Sequence, residues 1–380
     1  MKSAFYIFIG YSILGLFYVP SMYTLITLIF ISFSCYPLFI AGKFSEISER
    51  MQLEYKTLSW FSTGIFFIIG IINLYFVAAN AGHSFTDIFS ISGIKEISMR
   101  NSEIRYFPGY ENNNSGNPWL FSISLYSIFR VALKSDTKKI KVVLLFIPII
   151  MYTLLTTEKW PTFLSLVFYF SAVSSSYLPR ETCKILLSNL KYLIIIIIFM
   201  IVSLSLRYAE NQNILHTINL LLHYILSPYY GFGVWLTEHF DKIDLTYGKM
   251  TFIGPLSYFS SITDVERPPG VFDISYYVYG NASNIYTAFR YLIEDYSVFG
   301  PVIINTIFSL IYYKLTKNKL FYLSLPLKTL FIFCALLSLT VTPAVHNSVL
   351  LAILLCLTYI FYTAILPNRE KKNECCTIYR

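Results

Sequence analysis

Apolar runs long enough to cross a bilayer follow one another along this chain and leave little sequence over for a soluble body. A membrane-crossing helix needs about 20 predominantly apolar residues. Inside hydrocarbon every backbone N–H and C=O must find its partner within the protein, so such a run folds as a helix. Charged residues are 13% of the chain, against about 25% in an ordinary soluble domain. The expected fold class is all-α: a polytopic integral membrane protein forming a single membrane domain over residues 1–380.

About ten membrane helices are expected, near 3–19, 22–42, 57–79, 118–134, 142–157, 161–178, 187–206, 296–313, 321–342 and 346–366. Pro20-Ser21 separates the first two, and Ile194 to Ile198 marks the centre of the seventh. Residues 3–19 lack a small-residue cleavage site and read as a first membrane helix, not a signal peptide. Two outer loops are expected, about 80–117 and about 207–295. The stretch 213–236 is apolar, but it carries His216, His223, Gly231 and Gly233. It is expected to lie in the interface, or to dip in and return.

Basic residues set the orientation. Lys2, Lys43, Arg50, Lys56, Lys134, Lys138, Lys139, Lys141, Arg180, Lys184, Lys191, Lys314, Lys317, Lys319, Arg369, Lys371, Lys372 and Arg380 collect on one side of the expected helices. That side is expected to be cytoplasmic and to hold both termini. The net charge of +8 is thereby accounted for by loop anchoring, and a nucleic-acid partner is not expected. None of the six cysteines has zinc-site spacing or falls in an outer loop, so neither a metal centre nor a disulfide framework is expected. No Walker loop, dinucleotide fingerprint or His-Glu-x-x-His helix is present.

Candidate functional groups therefore fall in the outer loops. Arg100, Arg105, Arg207, Arg267 and Arg290 lie where the positive-inside bias disfavours them. A diphosphate ligand would explain them, because guanidinium groups bind phosphate oxygens as a planar fork. Pairing with nearby carboxylates explains some equally well, since Arg290 reaches Glu294 at helical spacing. Five histidines and several acids, among them His239, Glu210, Glu238, Asp241, Glu294 and Asp295, could accept a proton, and sequence does not rank them. Tyrosines cluster at Tyr229-Tyr230 and Tyr276-Tyr277, with Tyr286 nearby, as sugar-stacking faces or as an interfacial belt.

The chain resembles the Wzy-type O-antigen polymerases. The resemblance rests on its architecture and on Asn284-Ile285-Tyr286-Thr287-Ala288-Phe289, followed by Glu294-Asp295 and by Phe299-Gly300 entering a helix. Arg105 and Gly116 fit the family's arginine–ten residues–glycine spacing, whereas the position eleven residues after Arg207 is Ile218. The resemblance implies a membrane-embedded, lipid-dependent glycosyltransferase of the bacterial inner membrane, active on the periplasmic face. It implies undecaprenyl-diphosphate-linked oligosaccharides as donor and acceptor, with a chain-length regulator and a flippase as further partners. Neither cofactor nor metal is implied. Arg207, Arg290, Glu294 and Asp295 are the expected catalytic groups, and Arg105, Gly116, Asn284, Tyr286, Tyr229 and Tyr230 the expected substrate-binding ones.

Three rival readings stand beside this one. An O-antigen ligase of the related family would carry His-Asn where this chain has Ser283-Asn284. A lipid-linked oligosaccharide flippase would carry charges inside its helices and only short loops. A membrane acyltransferase would need a histidine within a membrane helix.

Overall fold

The computed structural model describes residues 1–44, 55–106, 116–134, 138–158, 160–177, 179–188, 194, 198, 201, 214–263, 276–283, 285–318, 320–338 and 340–377. These are nearly all helical, with one short two-stranded antiparallel hairpin. In chain order the helices are α1 (Lys2–Tyr18), α2 (Met22–Phe44), α3 (Trp60–Asn80), α4 (Ile91–Tyr106), α5 (Pro118–Ala132), α6 (Lys139–Thr156), α7 (Trp160–Ser176), α8 (Pro179–Ser188) and α9 (Ile214–His239). Then come α10 (Ile253–Tyr258), α11 (Ser260–Thr263), the hairpin β1 (Tyr276–Val278) and β2 (Asn281–Ser283), α12 (Ala288–Tyr296), α13 (Gly300–Lys317), α14 (Phe321–Leu337) and α15 (Asn347–Thr377). Among the described residues, four helices are long and apolar enough to cross a membrane, and five if α12 and α13 together form one broken span. Phe17, Phe33 and Phe61 on these and neighbouring apolar helices are 81%, 66% and 79% exposed. Such surfaces are compatible with a multi-pass protein whose helices face lipid.

The chain divides into two compact units, Tyr55–Leu221 and Met1–Glu54 with Leu222–Arg380. In the first, α3 packs on α5 and α6. Gly70 permits the approach to α6, because a Cβ there would stand 2.6 Å from the Pro148 ring. Buried Asn73 accepts a 2.9 Å bond from the Asn117 backbone. Asn117 in turn caps α5 by accepting from the Trp119 and Leu120 amides, with Pro118 in the first turn. Buried Ser122, Ser124 and Ser127 of α5, and Ser165, Ser171, Ala172 and Ser175 of α7, give those two packed helices small residues at close range.

The expected loop 80–117 contains a helix. α4 docks on the end of α6 through Ser98 to the Leu154 carbonyl at 2.7 Å and Asn101 to the Leu155 carbonyl at 3.0 Å. Ile97 of α4 and Ile88 of the preceding turn join Leu74, Val77, Ala78, Ala81 and Leu155 in one core. The polar sequence of α4 hides this, because its apolar positions are few and its anchoring runs through side-chain hydrogen bonds.

In the second unit, α1 and α2 form a hairpin closed so tightly that a Cβ on Gly42 would stand 2.6 Å from the Lys2 backbone nitrogen. α13 packs along α2, and Asn305 donates to the Ser34 carbonyl at 2.9 Å. The segment expected to lie in the interface or dip and return is one continuous helix, the 26-residue α9, so it does not reverse. Its glycines are packing residues and not helix breakers. A Cβ on Gly233 would come within 2.1 Å of the Tyr23 carbonyl oxygen of α2, and one on Gly231 within 2.2 Å of the Tyr276 ring. Tyr229 seats against Gly15 of α1, and Thr27 of α2 donates to its carbonyl at 2.8 Å. α9 is not among the four helices apolar enough to cross, which fits its His216, Asn219 and His223.

α12 is amphipathic and turns 96° into α13. The corner is made by Ser297, which has φ 70°, and by Gly300, where a Cβ would meet Tyr296 at 2.5 Å.

Candidate functional site: an aromatic cavity beside a buried ion pair

The second unit contains a cavity of about 220 Å³ lined by Tyr230, Val234, Trp235, Glu238, His239, Tyr276, Tyr277 and Tyr286. The first five come from one side of α9, at helical spacing. Tyr276 and Tyr277 come from β1, and Tyr286 from the segment leading into α12. Strand alternation buries Tyr276 and leaves Tyr277 70% exposed. The Tyr276 hydroxyl donates to the Ile285 carbonyl at 2.7 Å and lies 3.1 Å from Ser227 Oγ. This fixes the hairpin between α9 and the start of α12. Tyr279 of the hairpin turn donates to the Tyr18 carbonyl at 2.9 Å.

Behind the lining rings stand Arg290 and Glu294. Arg290 Nε is 2.7 Å from Glu294 Oε1, and the two side chains are 8% and 16% exposed. The guanidinium carbon lies 4.2 Å from the Tyr286 ring centroid and 5.0 Å from that of Trp235. The cation is thus held by a carboxylate and two aromatic faces. α12 lies before the 96° corner into α13, and Glu294 on it is held above the usual carboxylate range: burial raises it and Arg290 offsets part of the effect.

His239 stacks on Trp235, with centroids 5.8 Å apart and planes 14° apart. Its Nδ1 lies 3.1 Å from the Trp235 carbonyl oxygen. A carbonyl only accepts, so Nδ1 carries the proton and Nε2 the lone pair in the neutral ring. Glu238 stands beside it on the cavity wall. The cavity therefore combines flat apolar faces, a carboxylate and an oriented imidazole. That set can hold a sugar ring and take a proton from a hydroxyl.

The expected site residues fall in different places. Tyr230 and Tyr286 line the cavity, and Arg290 and Glu294 stand behind it. Tyr229, one position along α9, faces away from it and packs on Gly15. Asp295 has another task. It accepts from the Met250 amide at 3.0 Å, the Thr251 amide at 2.6 Å and the Thr246 hydroxyl, and so pins the segment 246–251 to α12. Gly116 belongs to the other unit, where its missing Cβ leaves room for the Tyr152 ring and Asn73. Arg105 is in the last turn of α4, and its side chain is outside the described residues. Arg207 and Asn284 also lie outside the described residues.

Trp235 went unremarked in the sequence because it closes an apolar stretch. Once 214–239 is read as one helix, the spacing Tyr230, Val234, Trp235, Glu238, His239 puts it on the same side as both titratable groups. Among the described residues, no group of three or more His, Cys, Asp or Glu could hold a metal ion. No protein-family model matches this chain, and no curated protein or solved structure is detectably similar to it.

Proposed function

We propose that this protein is a membrane-embedded polymerase of lipid-linked oligosaccharides, working on the outer face of a bacterial inner membrane. The observation that carries this reading is the aromatic cavity with Glu238 and His239 on its wall and Arg290–Glu294 behind it. In the reaction, a hydroxyl of the acceptor unit attacks the anomeric carbon of the donor chain. The bond from that carbon to the diphosphate oxygen breaks, and the diphosphate leaves on its lipid. The hydroxyl proton passes to His239 Nε2, with Glu238 beside it to favour the imidazolium that forms. Arg290 is already matched by Glu294, so its part is to set the position of the Trp235 and Tyr286 rings. Arg207, expected at the outer end of a membrane helix, and Arg105, expected in an outer loop, are assigned to the diphosphate of the donor.

Deletion of the gene, followed by gel analysis of surface lipopolysaccharide, tests the reading. Loss of a polymerase leaves core bearing a single repeat unit. Bare core would instead indicate a ligase, and absence of any surface repeat a flippase.

The proposed topology has ten crossings, with both termini cytoplasmic and α9 at the outer face. It rests on the basic residues at Lys2, Lys43, Lys314 and Lys317, which lie at helix ends. Reporter fusions at Gly248 and after Lys319 are expected to report outside and inside respectively. A cytoplasmic signal at Gly248 would make α9 a further crossing and move the active face.

A further inference from the structure

We propose that the cavity seats a single sugar ring bearing no carboxylate, and discriminates against uronic-acid residues of the glycan; this rests on the glycan-polymerising reading above and adds a specificity to it. Size gives the first part. About 220 Å³ is below the roughly 300–1,000 Å³ of pockets that hold drug-sized ligands, so one ring fits and an oligosaccharide does not. Tyr230, Trp235, Tyr276, Tyr277 and Tyr286 supply the flat faces for its C–H surfaces.

Charge gives the second part. Among the described residues of the wall, Glu238 is the only acid and neither lysine nor arginine is present. The nearby cation, Arg290, is held by Glu294 at 2.7 Å behind the lining rings. A carboxylate on the bound ring would meet Glu238 with no lysine or arginine among the described lining residues to offset it, whereas hydroxyl and acetamido N–H groups would find an acceptor.

The experiment uses the full-length protein in lipid nanodiscs at neutral pH. Binding of methyl glucoside, methyl N-acetylglucosaminide and methyl glucuronide is read by saturation-transfer NMR. The first two are expected to bind, and the glucuronide at least about tenfold more weakly. Glu238→Gln keeps the shape and removes the charge, so it should bring the glucuronide within about threefold of the glucoside. Tyr277→Ala, at an exposed lining position, should weaken all three. Equal or tighter binding of the glucuronide to the unmodified protein, or no binding of any of the three, overturns the proposal. Binding is read without turnover. Sugar discrimination together with bare core on gene deletion would therefore retain this inference and sink the polymerase, and the converse pattern would do the reverse.

Discussion

His239→Gln is expected to lower polymerisation at least about 100-fold, the lower end of what a positioned general base contributes, while the protein remains inserted and abundant. The amide of glutamine can still fill the space against Trp235, but it has no basic nitrogen. The orientation of the imidazole is what makes it a base in this reading: Nδ1 is 3.1 Å from the Trp235 carbonyl oxygen, so the lone pair is on Nε2. His239 is half-buried and stacks on a ring that itself lines the cavity, so little else holds it in place and folding should survive the change. Glu238→Gln should cost less, because the carboxylate acts through the imidazolium. Polymerisation of lipid-linked repeat units by purified variants would check both. A normal product ladder from His239→Gln at normal expression removes the imidazole from the chemistry. A larger loss from Glu238→Gln than from His239→Gln transfers the base to the carboxylate.

What the sequence made legible follows from which forces act locally. Membrane-type helices are written as long apolar runs, and helices lie at Lys2–Tyr18, Met22–Phe44, Trp60–Asn80, Lys139–Thr156 and Asn347–Thr377 where such runs were read. The start of α5 was legible: a helix was expected from 118, and Asn117 caps it with Pro118 in the first turn. Glycine misled, because its meaning depends on neighbours far away in sequence. Gly231 and Gly233 counted against a crossing helix over 213–236, yet each answers a group that sequence distance conceals, the Tyr276 ring and the Tyr23 carbonyl. The site was half legible for the same reason. The tyrosines and acids could be named, but which acid faces a cavity is decided by the rotation of α9 and α12. Asp295 and Glu294 are adjacent in sequence and point to different tasks, one to backbone amides of 246–251 and one to Arg290.

Arg290→Ala is expected to destabilise the protein by about 3–5 kcal/mol, the usual cost of leaving one member of a buried ion pair behind. Glu294 is 16% exposed, so water compensates for little of the lost cation. The Trp235 and Tyr286 rings also lose the guanidinium lying 5.0 and 4.2 Å from their centroids, and with it a fixed spacing across the cavity wall. Activity should therefore fall along with stability. The pH dependence has a definite sign. Burial already holds the Glu294 carboxyl above the usual range and Arg290 pulls it back, so removing Arg290 raises it further. A carboxyl whose folded pKa exceeds its unfolded one takes up a proton on folding. Its buried charge costs stability in full above the folded value, and the cost vanishes as pH falls below the unfolded one. The melting temperature of Arg290→Ala in detergent should accordingly lie well below that of the unmodified protein at about pH 8, and the gap should narrow towards about pH 5. Adding Glu294→Gln should close most of the gap at the higher pH without restoring polymerisation, because no cation then orders the two rings. A gap that stays constant across this range would mean that Glu294 carries no uncompensated charge in the variant. Full polymerisation by the double variant would reduce the ion pair to a stabilising contact with no part in the site.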